Sequence, residues 1–365
     1  MFPTKVTADR VEFQVAKSSF SCWWRRHQRL GPYHRLNSSC FPAHIPFSPS
    51  QSIIRAIAGH HPSVIKNGKR EIGLLKKKGS NRILKPIQEG ARGECEVNVY
   101  KLLARTLRNS TSGDVGSESS SEKNGWPDVK TEDAEGLARL TPTFYGLTHV
   151  AIDKEDHEFL VLDDVTIPYS HPAILDVKMG RITYDPLAGA AKRKKEEIKY
   201  PPQKTLGFRL LGYRSHLAKE IHCLRQSEPR CREKDKMHRK GGHVVVKDKE
   251  WGKSYDENDI HNGLEEFFSG RGVDAEMMSD VLTKLDGVRQ WFATQKSFHF
   301  YASSLLFAYE NDTTKPPNVE IVMIDFSHVF PANNQPDTNY IIGLDRLYSE
   351  IETIHDKFSK QSENS

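Results

Sequence analysis

The stretch PAILDVKMG, residues 172–180, carries the strongest indication of the fold. Its apolar residues surround Asp176 and Lys178, and a short apolar run that closes with a glycine is typical of a β-strand. Side chains alternate along a strand, so Asp176 and Lys178 are expected on the same side, about 6.5–7 Å apart along the backbone. An acid beside a base in this position is compatible with a surface charge pair and with a reaction site.

The composition predicts a chain that can bury a full core in one large or two smaller domains. It has 365 residues, of which 37% are hydrophobic and 28% are charged. No run approaches the roughly 18 apolar residues of a membrane span, so we expect a soluble protein without a transmembrane segment. The net charge of +5 is mild but clustered. A basic cluster suits a polyanion such as nucleic acid, anionic lipid or a small phosphorylated molecule.

Residues 1–52 are not expected to form a domain. No acidic residue occurs between Phe13 and Arg70, while arginine, serine and proline accumulate. An organellar transit peptide has a similar composition, but the segment lacks an amphipathic helical period, so we favour a disordered basic extension. The five cysteines are scattered without zinc-ligand spacing, which favours a reducing compartment.

The pattern predicts a first lobe over residues 53–167. Arg82–Gln88 has the character of a strand, and Glu94–Leu107 has apolar residues at helical spacing. Residues 109–136 are rich in serine, glycine and acidic residues and predict a disordered loop. Phe159–Val165 is a further apolar strand. Strands around one helix, followed by a linker, resemble the upper lobe of a kinase-like fold.

A second lobe is predicted over residues 168–358, followed by a tail at 359–365. Within it, the segment 186–200 is rich in alanine and lysine and predicts a helix that ends before two prolines. Residues 223–250 are polar and basic and predict a loop insertion.

Two charged residues of the first lobe have a spacing known from nucleotide-binding sites. Lys85 lies in the predicted strand, and Glu96 follows at the start of the predicted helix. In protein kinases a strand lysine pairs with a helix glutamate and contacts the nucleotide phosphates. A lysine and a glutamate at this separation are also common without such a role, so both interpretations stay open at this point.

Asp325 lies at the end of an apolar strand, Val319–Phe326, which is predicted to form a hairpin with Ala302–Tyr309. A carboxylate there, followed by an aromatic residue, is similar to the Asp-Phe-Gly segment of protein kinases and can hold Mg²⁺ through oxygen. The alternative is an aspartate that only caps the end of the strand.

Three separated motifs resemble the inositol polyphosphate kinase family. They are P-x-x-x-D-x-K-x-G at 172–180, the pair Tyr184-Asp185-Pro186 and Lys199-Tyr200-Pro201, and IDFSHVF at 324–330. The resemblance is greatest to the multikinase branch of that family. It implies an α+β, two-lobed kinase-like fold related to protein kinases and ATP-grasp proteins. The N-lobe would be an antiparallel sheet, and the mixed C-lobe would carry a small helical segment that binds inositol phosphates.

The resemblance also implies ATP and Mg²⁺ as cofactors, with the metal on Asp325. Asp176 is assigned to the ribose and the catalytic machinery, and the backbone of Asp163 and Val165 to the adenine. The cofactor-binding residues are Lys85, Glu96, Asp163, Val165, Asp176 and Asp325.

On the substrate side, the resemblance assigns Lys178 to the transferred phosphate or the reacting hydroxyl, and His328 to a position beside the substrate. The catalytic residues are Asp176, Lys178 and His328. The substrate-binding residues are Gln88, Arg92, Lys178, Lys192, Lys195, Lys199 and His328.

Three of these lysines, Lys192, Lys195 and Lys199, have the spacing of one helix face, which suits several phosphates on a small ring. Lys195 and Glu196 replace glutamines of the family. A solvated helix face or a nuclear-import-like cluster is the alternative interpretation.

The function implied is ATP- and Mg²⁺-dependent phosphorylation of inositol tris- and tetrakisphosphates towards the pentakisphosphate, with phosphatidylinositol bisphosphate as a further substrate. Alternatives within the family are an inositol trisphosphate 3-kinase and an inositol hexakisphosphate kinase. An alternative of another class is a catalytically silent protein that binds phosphoinositides or, less in keeping with the sequence, nucleic acid. We expect a monomer in the nucleus, the cytoplasm or both.

Overall fold

The computed structural model describes residues 63–66, 69–76, 79–112, 126, 129–152, 155–217, 236–239 and 242–364. The extension predicted at 1–52 lies outside the described residues. So do the middle of the loop predicted at 109–136 and the first half of the insertion predicted at 223–250.

The strands are numbered in chain order. They are β1 (Ser63–Lys66), β2 (Lys69–Ile72), β3 (Leu75–Lys76), β4 (Arg82–Pro86), β5 (Phe144–Ile152), β6 (Glu155–Asp163), β7 (Pro172–Met179), β8 (Phe208–Leu217), β9 (Lys236–Arg239), β10 (Gly242–Lys247), β11 (Phe298–Phe300), β12 (Ser304–Glu310), β13 (Glu320–Ile324) and β14 (Val329–Pro331). The helices are α1 (Ala91–Ser112), α2 (Thr131–Arg139), α3 (Ala190–Lys199), α4 (Gln203–Leu206), α5 (Lys249–Lys253), α6 (Ile260–Phe268), α7 (Ala275–Thr294) and α8 (Thr338–Glu363).

The N-lobe is built on an antiparallel sheet of order β3-β4-β6-β5, with α1 and α2 beside it. The C-lobe is built on a larger antiparallel sheet of order β13-β12-β7-β8-β10-β9. Two antiparallel sheets with packed helices make an α+β, two-lobed fold, as predicted. The hairpin predicted from Ala302–Tyr309 and Val319–Phe326 is confirmed as β12 paired with β13.

Strand β7, which contains Asp176 and Lys178, lies in the interior of the C-lobe sheet between β12 and β8. One of its faces packs into the core, where Leu175 and Val177 are fully buried. On β8, Phe208 and Leu210 are fully buried in the same core, which α6, α7 and α8 complete. The opposite face of β7 carries Asp176 and Lys178, because side chains alternate along a strand.

The prediction of a loop at 109–136 is wrong at both ends of that segment, where the structure has helices. Helix α1 continues to Ser112, and α2 begins at Thr131 and packs between α1 and α7. The glycine and acidic residues that favoured a loop have packing roles. A Cβ atom at Gly136 would lie 2.3 Å from the indole ring of Trp291. The carboxylate of Asp133 accepts hydrogen bonds from Ser297 and from the backbone amide of Lys296.

The loop insertion predicted at 223–250 is also wrong where the structure describes it. Strand β10 pairs with β8 and extends the main sheet, and β9 pairs with β10. The valines of this segment are the reason, since Val244 is buried against the sheet although most of the segment 223–250 is polar. The tail predicted at 359–365 is helical through Glu363, because α8 continues beyond the buried Phe358. The helix predicted within 186–200 is shorter and spans α3.

Among the described residues, no helix combines the length and the apolar character needed to cross a membrane.

Candidate active site

The two lobes meet at Lys85, which lies on β4. Its Nζ atom donates to Oε1 of Glu96 at 2.6 Å and to Oδ1 of Asp325 at 2.5 Å. Glu96 comes from the first turns of α1, and Asp325 follows the end of β13 in the other lobe. The predicted lysine–glutamate pair therefore forms, and it reaches the aspartate of the C-lobe motif.

The charge of Lys85 is stabilised by its partners. Burial on its own lowers the pKa of the lysine, but the carboxylates of Asp325 and Glu96 outweigh that effect and hold the pKa above its ordinary value. Lys85 is therefore a fixed cation at the meeting point of the lobes.

Glu96 orients the segment that follows Asp325. It is 1% exposed, and besides Lys85 it accepts a hydrogen bond from the backbone amide of Phe326 at 3.2 Å and one from Ser327 Oγ at 3.4 Å. The backbone of Asp325 has a φ of 66°, in the left-handed region that non-glycine residues rarely occupy. Such a conformation persists where surrounding contacts impose it, and the bonds from Glu96 are contacts of this kind.

Asp176 is a buried carboxylate with an unused oxygen. It is 2% exposed, and its Oδ1 atom has no hydrogen-bond partner within the described part of the chain. Burial raises the pKa of Asp176 to about 7, and the negative charge of Asp325 acts in the same direction. A hydroxyl donor or a cation would satisfy this oxygen.

Asp325 fits a divalent cation. Its side chain is 27% exposed, so the carboxylate that accepts from Lys85 is also in contact with solvent. Mg²⁺ takes oxygen ligands, and it is usually bound through one or two protein carboxylates together with substrate phosphates and water.

Lys178 points from β7 into the same cleft. Its Nζ atom donates to the backbone oxygen of Ala302 at 2.9 Å. Burial lowers the pKa of Lys178, while the carboxylates of Asp325 and Asp176 act against this shift. The ammonium group is therefore close enough to both carboxylates to interact with them electrostatically.

An apolar patch lies next to these charges. Ile174, Leu306 and Val322 form it on the cleft face of the C-lobe sheet, with Val165 and Ile324 packed against them. Ile174, Leu306 and Val322 are themselves buried, so a flat aromatic ring would meet the patch at the partly buried Val165 and Ile324.

Val165 belongs to the turn that follows β6 and connects the lobes. Asp163, at the end of β6, accepts a hydrogen bond from Tyr145 Oη at 2.9 Å. The neighbouring Asp164 forms an ion pair with Lys76 and accepts from the hydroxyl of Thr166 at 2.6 Å. The two residues assigned to the adenine therefore lie in a connection that the N-lobe holds in place.

Asp185 brings two of the predicted substrate residues together. Its Oδ2 atom lies 3.0 Å from Lys192 Nζ and 3.0 Å from His328 Nδ1. Burial opposes ionisation, but the hydrogen bonds from His328 and Lys192 lower the pKa of Asp185 below its ordinary range. Asp185 was not among the predicted site residues, although it stands in the Tyr184-Asp185-Pro186 motif.

Two other lysines of α3 are less closely tied to the cleft. Lys199 pairs with Glu196 of its own helix, and Lys195 is exposed without an ion pair among the described residues. None of the residues of α3 is buried.

Gln88 and Arg92, the two residues of the N-lobe that were assigned to the substrate, differ in their contacts. Gln88 donates from Nε2 to Ser327 Oγ at 3.0 Å and so joins the segment after Asp325. Arg92 is exposed near the start of α1 and forms no ion pair in the described ranges.

A cation that was not predicted lies on β8. Arg209 is the antiparallel partner of Lys178 and is 8% exposed. The only signal in the sequence is a charged residue between the apolar residues Phe208 and Leu210 at the start of the strand.

Comparisons with known proteins agree with these observations. A model of the inositol polyphosphate kinase family matches residues 159–352, more than half of the chain. The inositol polyphosphate multikinase of Rattus norvegicus is 26% identical over 283 residues, covering 77% of this chain and 57% of the relative. Inositol polyphosphate multikinase alpha of Arabidopsis thaliana is 27% identical over 312 residues, covering 82% of this chain and 93% of the relative. The chain thus spans little more than half the length of the rat relative.

A likeness in fold extends to a solved structure. The inositol phosphate multikinase of S. cerevisiae, solved in complex with ADP and Mn²⁺, superposes with a TM-score of 0.55 at 19% identity. The match covers 75% of this chain and 99% of the yeast chain.

Proposed function

The chain belongs to the inositol polyphosphate kinase family, and on that premise we propose that it transfers the γ-phosphate of ATP to hydroxyls of inositol tris- and tetrakisphosphates, towards the pentakisphosphate. The observation that carries the proposal is the contact of Lys85 with both Glu96 and Asp325. It places a fixed cation and an accessible carboxylate together between the lobes, which are the groups that phosphoryl transfer requires.

In this proposal ATP occupies the cleft with its adenine on the apolar patch. The backbone of Asp163 and Val165 contacts the edge of the base, and Asp176 Oδ1 accepts a hydrogen bond from a ribose hydroxyl. Lys85 binds the phosphates and is oriented by Glu96. The apolar surroundings of Val165 and the unpartnered oxygen of Asp176 support these assignments.

Asp325 is the residue that would hold Mg²⁺, which neutralises phosphate charge when bound. The yeast relative was solved with ADP and Mn²⁺, which supports a nucleotide with a divalent cation in this fold. A partly exposed carboxylate is also the kind of protein ligand that Mg²⁺ takes.

Transfer forms a bond between an inositol hydroxyl oxygen and the γ-phosphorus, breaks the bond to the bridging oxygen, and releases ADP and the hydroxyl proton. Lys178 is placed to stabilise the negative charge of the transferred group. His328 and Lys192 would contact the acceptor from the side held by Asp185. Gln88, Arg92, Lys195 and Lys199 complete the proposed acceptor surface.

The test is an assay with ATP, Mg²⁺ and inositol 1,4,5-trisphosphate, with products separated by the number and position of their phosphates. Stepwise formation of tetrakis- and pentakisphosphate is expected, and Asp325→Asn should abolish it. Asp345→Asn, a substitution on the exposed side of α8, is the matched control and should leave it unchanged.

The alternatives give different products in the same assay. A 3-kinase stops at the 1,3,4,5-tetrakisphosphate, and a hexakisphosphate kinase phosphorylates inositol hexakisphosphate instead. A binding protein consumes no ATP with any of these compounds while still binding them.

A second candidate substrate is phosphatidylinositol bisphosphate at a membrane surface. The specific observation is the exposure of apolar residues on and before α3, where Ile198 is 65% exposed and Leu187 is 45% exposed, close to Lys194 and Lys195. Apolar residues beside lysines suit an anionic lipid surface. Phosphorylation of the lipid in vesicles, reduced by Ile198→Ser without loss of activity on soluble inositol trisphosphate, is the expected result.

A further inference from the structure

A buried cation, Arg209, lies next to Lys178 and has no ionic partner among the residues that the structure describes. Arg209 is directly opposite Lys178 in the antiparallel pairing of β8 with β7. Directly opposed residues of an antiparallel pair have their side chains on the same face of the sheet. The neighbours of Arg209 in sequence, Phe208 and Leu210, are fully buried on the core side. Arg209 therefore faces the cleft.

The guanidinium group is incompletely satisfied. Arg209 is 8% exposed, its Nε atom has no hydrogen-bond partner, and it forms no ion pair within the part of the chain that the structure describes. Its contact is with the ring of Tyr200, whose centroid lies 5.8 Å from the guanidinium carbon. A buried charge without an ionic partner is costly, so a purely structural role does not explain the choice of arginine here.

The nearby carboxylates do not supply the missing partner. Glu196, Asp176 and Glu250 attract Arg209 electrostatically. None of the three forms an ion pair with it within the described residues, and Glu196 and Glu250 are already paired with Lys199 and Lys253.

The order of strands separates Arg209 from the proposed nucleotide. Across the sheet, Asp325 follows β13, Ser304 lies on β12 opposite Lys178, and Arg209 lies on β8 beyond Lys178. The apolar patch that would receive the adenine is on the side of β12 and β13. Arg209 is thus on the side of Lys178 that faces away from the nucleotide.

We propose that Arg209 forms a phosphate-binding subsite for the acceptor, holding a phosphate monoester of the inositol ring next to the hydroxyl that reacts at Lys178. The inference rests on the proposed function and assigns one further residue to it. The planar guanidinium matches phosphate oxygens in a two-bond arrangement. The ring of Tyr200 lies beside the guanidinium group, and the phosphate supplies the negative charge that the described residues do not.

The experiment measures steady-state kinetics of the full chain for Arg209→Met and Arg209→Lys with ATP, Mg²⁺ and inositol 1,4,5-trisphosphate. For Arg209→Met the KM for the inositol phosphate should rise at least about tenfold, because a charge-assisted contact of this kind is lost, while the KM for ATP stays unchanged. Arg209→Lys keeps the charge without the planar fork, so its KM for the inositol phosphate should lie between those of the wild type and Arg209→Met. Arg289→Met, on the surface of α7, is the matched control and should change neither constant.

Two further measurements separate binding from folding. Thermal melting identifies a variant that is destabilised, and calorimetric titration with inositol 1,4,5-trisphosphate in the absence of ATP measures the subsite directly. Weaker binding in Arg209→Lys with an unchanged melting temperature supports the subsite even where Arg209→Met does not fold.

The outcomes distinguish this inference from the proposed function. A wild-type protein that does not phosphorylate inositol trisphosphate contradicts the proposed function. An active wild type together with an Arg209→Met variant that folds and keeps its KM for the inositol phosphate contradicts the subsite alone. Equal rises in both KM values would also contradict it, since they indicate a general distortion of the cleft.

Discussion

Lys85 shows how one residue can connect both lobes. It contacts a carboxylate of its own lobe and one of the other lobe, and its side chain is 18% exposed. Its partner Glu96 is buried and also holds the backbone amide of Phe326. Loss of the lysine would therefore leave a buried carboxylate without its counter-charge.

We expect Lys85→Met to lower the free energy of unfolding by about 3 kcal/mol, because removing one partner of a buried ion pair leaves the other uncompensated. Chemical denaturation measures the change. Lys284→Met is the matched control, since Lys284 and Glu320 form an exposed pair at 3.4 Å, and it should cost less than about 1 kcal/mol. Equal effects of the two substitutions would show that Lys85 has no special structural role.

His216 on β8 predicts a dependence of stability on pH. Burial lowers its pKa from 6.5 to about 4, and the positive charge of Arg214 and the proximity of His171 add to the shift, against the opposing charge of Glu310. Between these two pH values the unfolded chain binds a proton that the folded chain does not. The stability contributed by neutral His216 is therefore complete above about pH 6.5 and is lost as the pH falls towards 4.

The free energy of unfolding of the wild type should fall between pH 7 and pH 4.5. Replacement of His216 by Leu should make this fall smaller by about 1 kcal/mol, a value reduced for the partial solvent exposure of the ring. Denaturant unfolding at pH 7 and pH 4.5 for both proteins is the measurement. A wild-type curve that is no steeper than that of the variant would contradict the assignment.

At the scale of elements, α8 crosses the turn after α4 at a contact between two glycines. A Cβ atom at Gly343 would lie 2.0 Å from the backbone oxygen of Gly207. Backbone cannot move aside as the end of a flexible side chain can, so this crossing requires glycine at position 343.

Gly343→Ala is expected to destabilise the protein by about 1–3 kcal/mol through overpacking, despite the higher helix propensity of alanine. Gly287→Ala in α7 is the control, because a Cβ atom there meets nothing within 4 Å, and it should stabilise by up to about 1 kcal/mol. Thermal melting of both variants decides the point, and the prediction is wrong if the two shift in the same direction.

Elements with a local signal could be predicted from the sequence, and those that depend on distant contacts could not. Strand β7 and the hairpin of β12 and β13 have apolar patterns that are clear in isolation. Helix α2 was missed because Gly136 and Asp133 favour a loop until Trp291 and Ser297 are known to pack against them. Strand β10 was missed because its pairing with β8 spans a polar segment of sequence.

The same distinction applies to the candidate site. The pair of Lys85 and Glu96 was predictable because strand and helix follow each other closely. Asp185 and Arg209 were not predicted. Asp185 stands out only through its contacts with Lys192 and His328, and Arg209 only through its position opposite Lys178 in the sheet. Both relations exist only after folding.

At the scale of the whole molecule, the cleft is formed by two sheets that contribute different groups. The N-lobe supplies Lys85 and Glu96, and the C-lobe supplies Asp325, Asp176 and Lys178. Contacts between the lobes converge on residues 325–327, which Lys85, Glu96 and Gln88 hold from the N-lobe side. The proposed chemistry therefore requires both lobes at once, with the nucleotide and the acceptor on opposite sides of Lys178.

The most direct test of the proposed kinase activity is transfer of label from the γ-phosphate of ATP to inositol 1,4,5-trisphosphate in the presence of Mg²⁺, for the wild type and for Lys178→Met. The wild type should yield labelled tetrakis- and then pentakisphosphate. Lys178→Met should still bind ATP but transfer label at least about 100-fold more slowly, because a cation that stabilises the transition state is missing. Transfer at an unchanged rate in Lys178→Met, or label released by the wild type only as inorganic phosphate, would contradict the proposal.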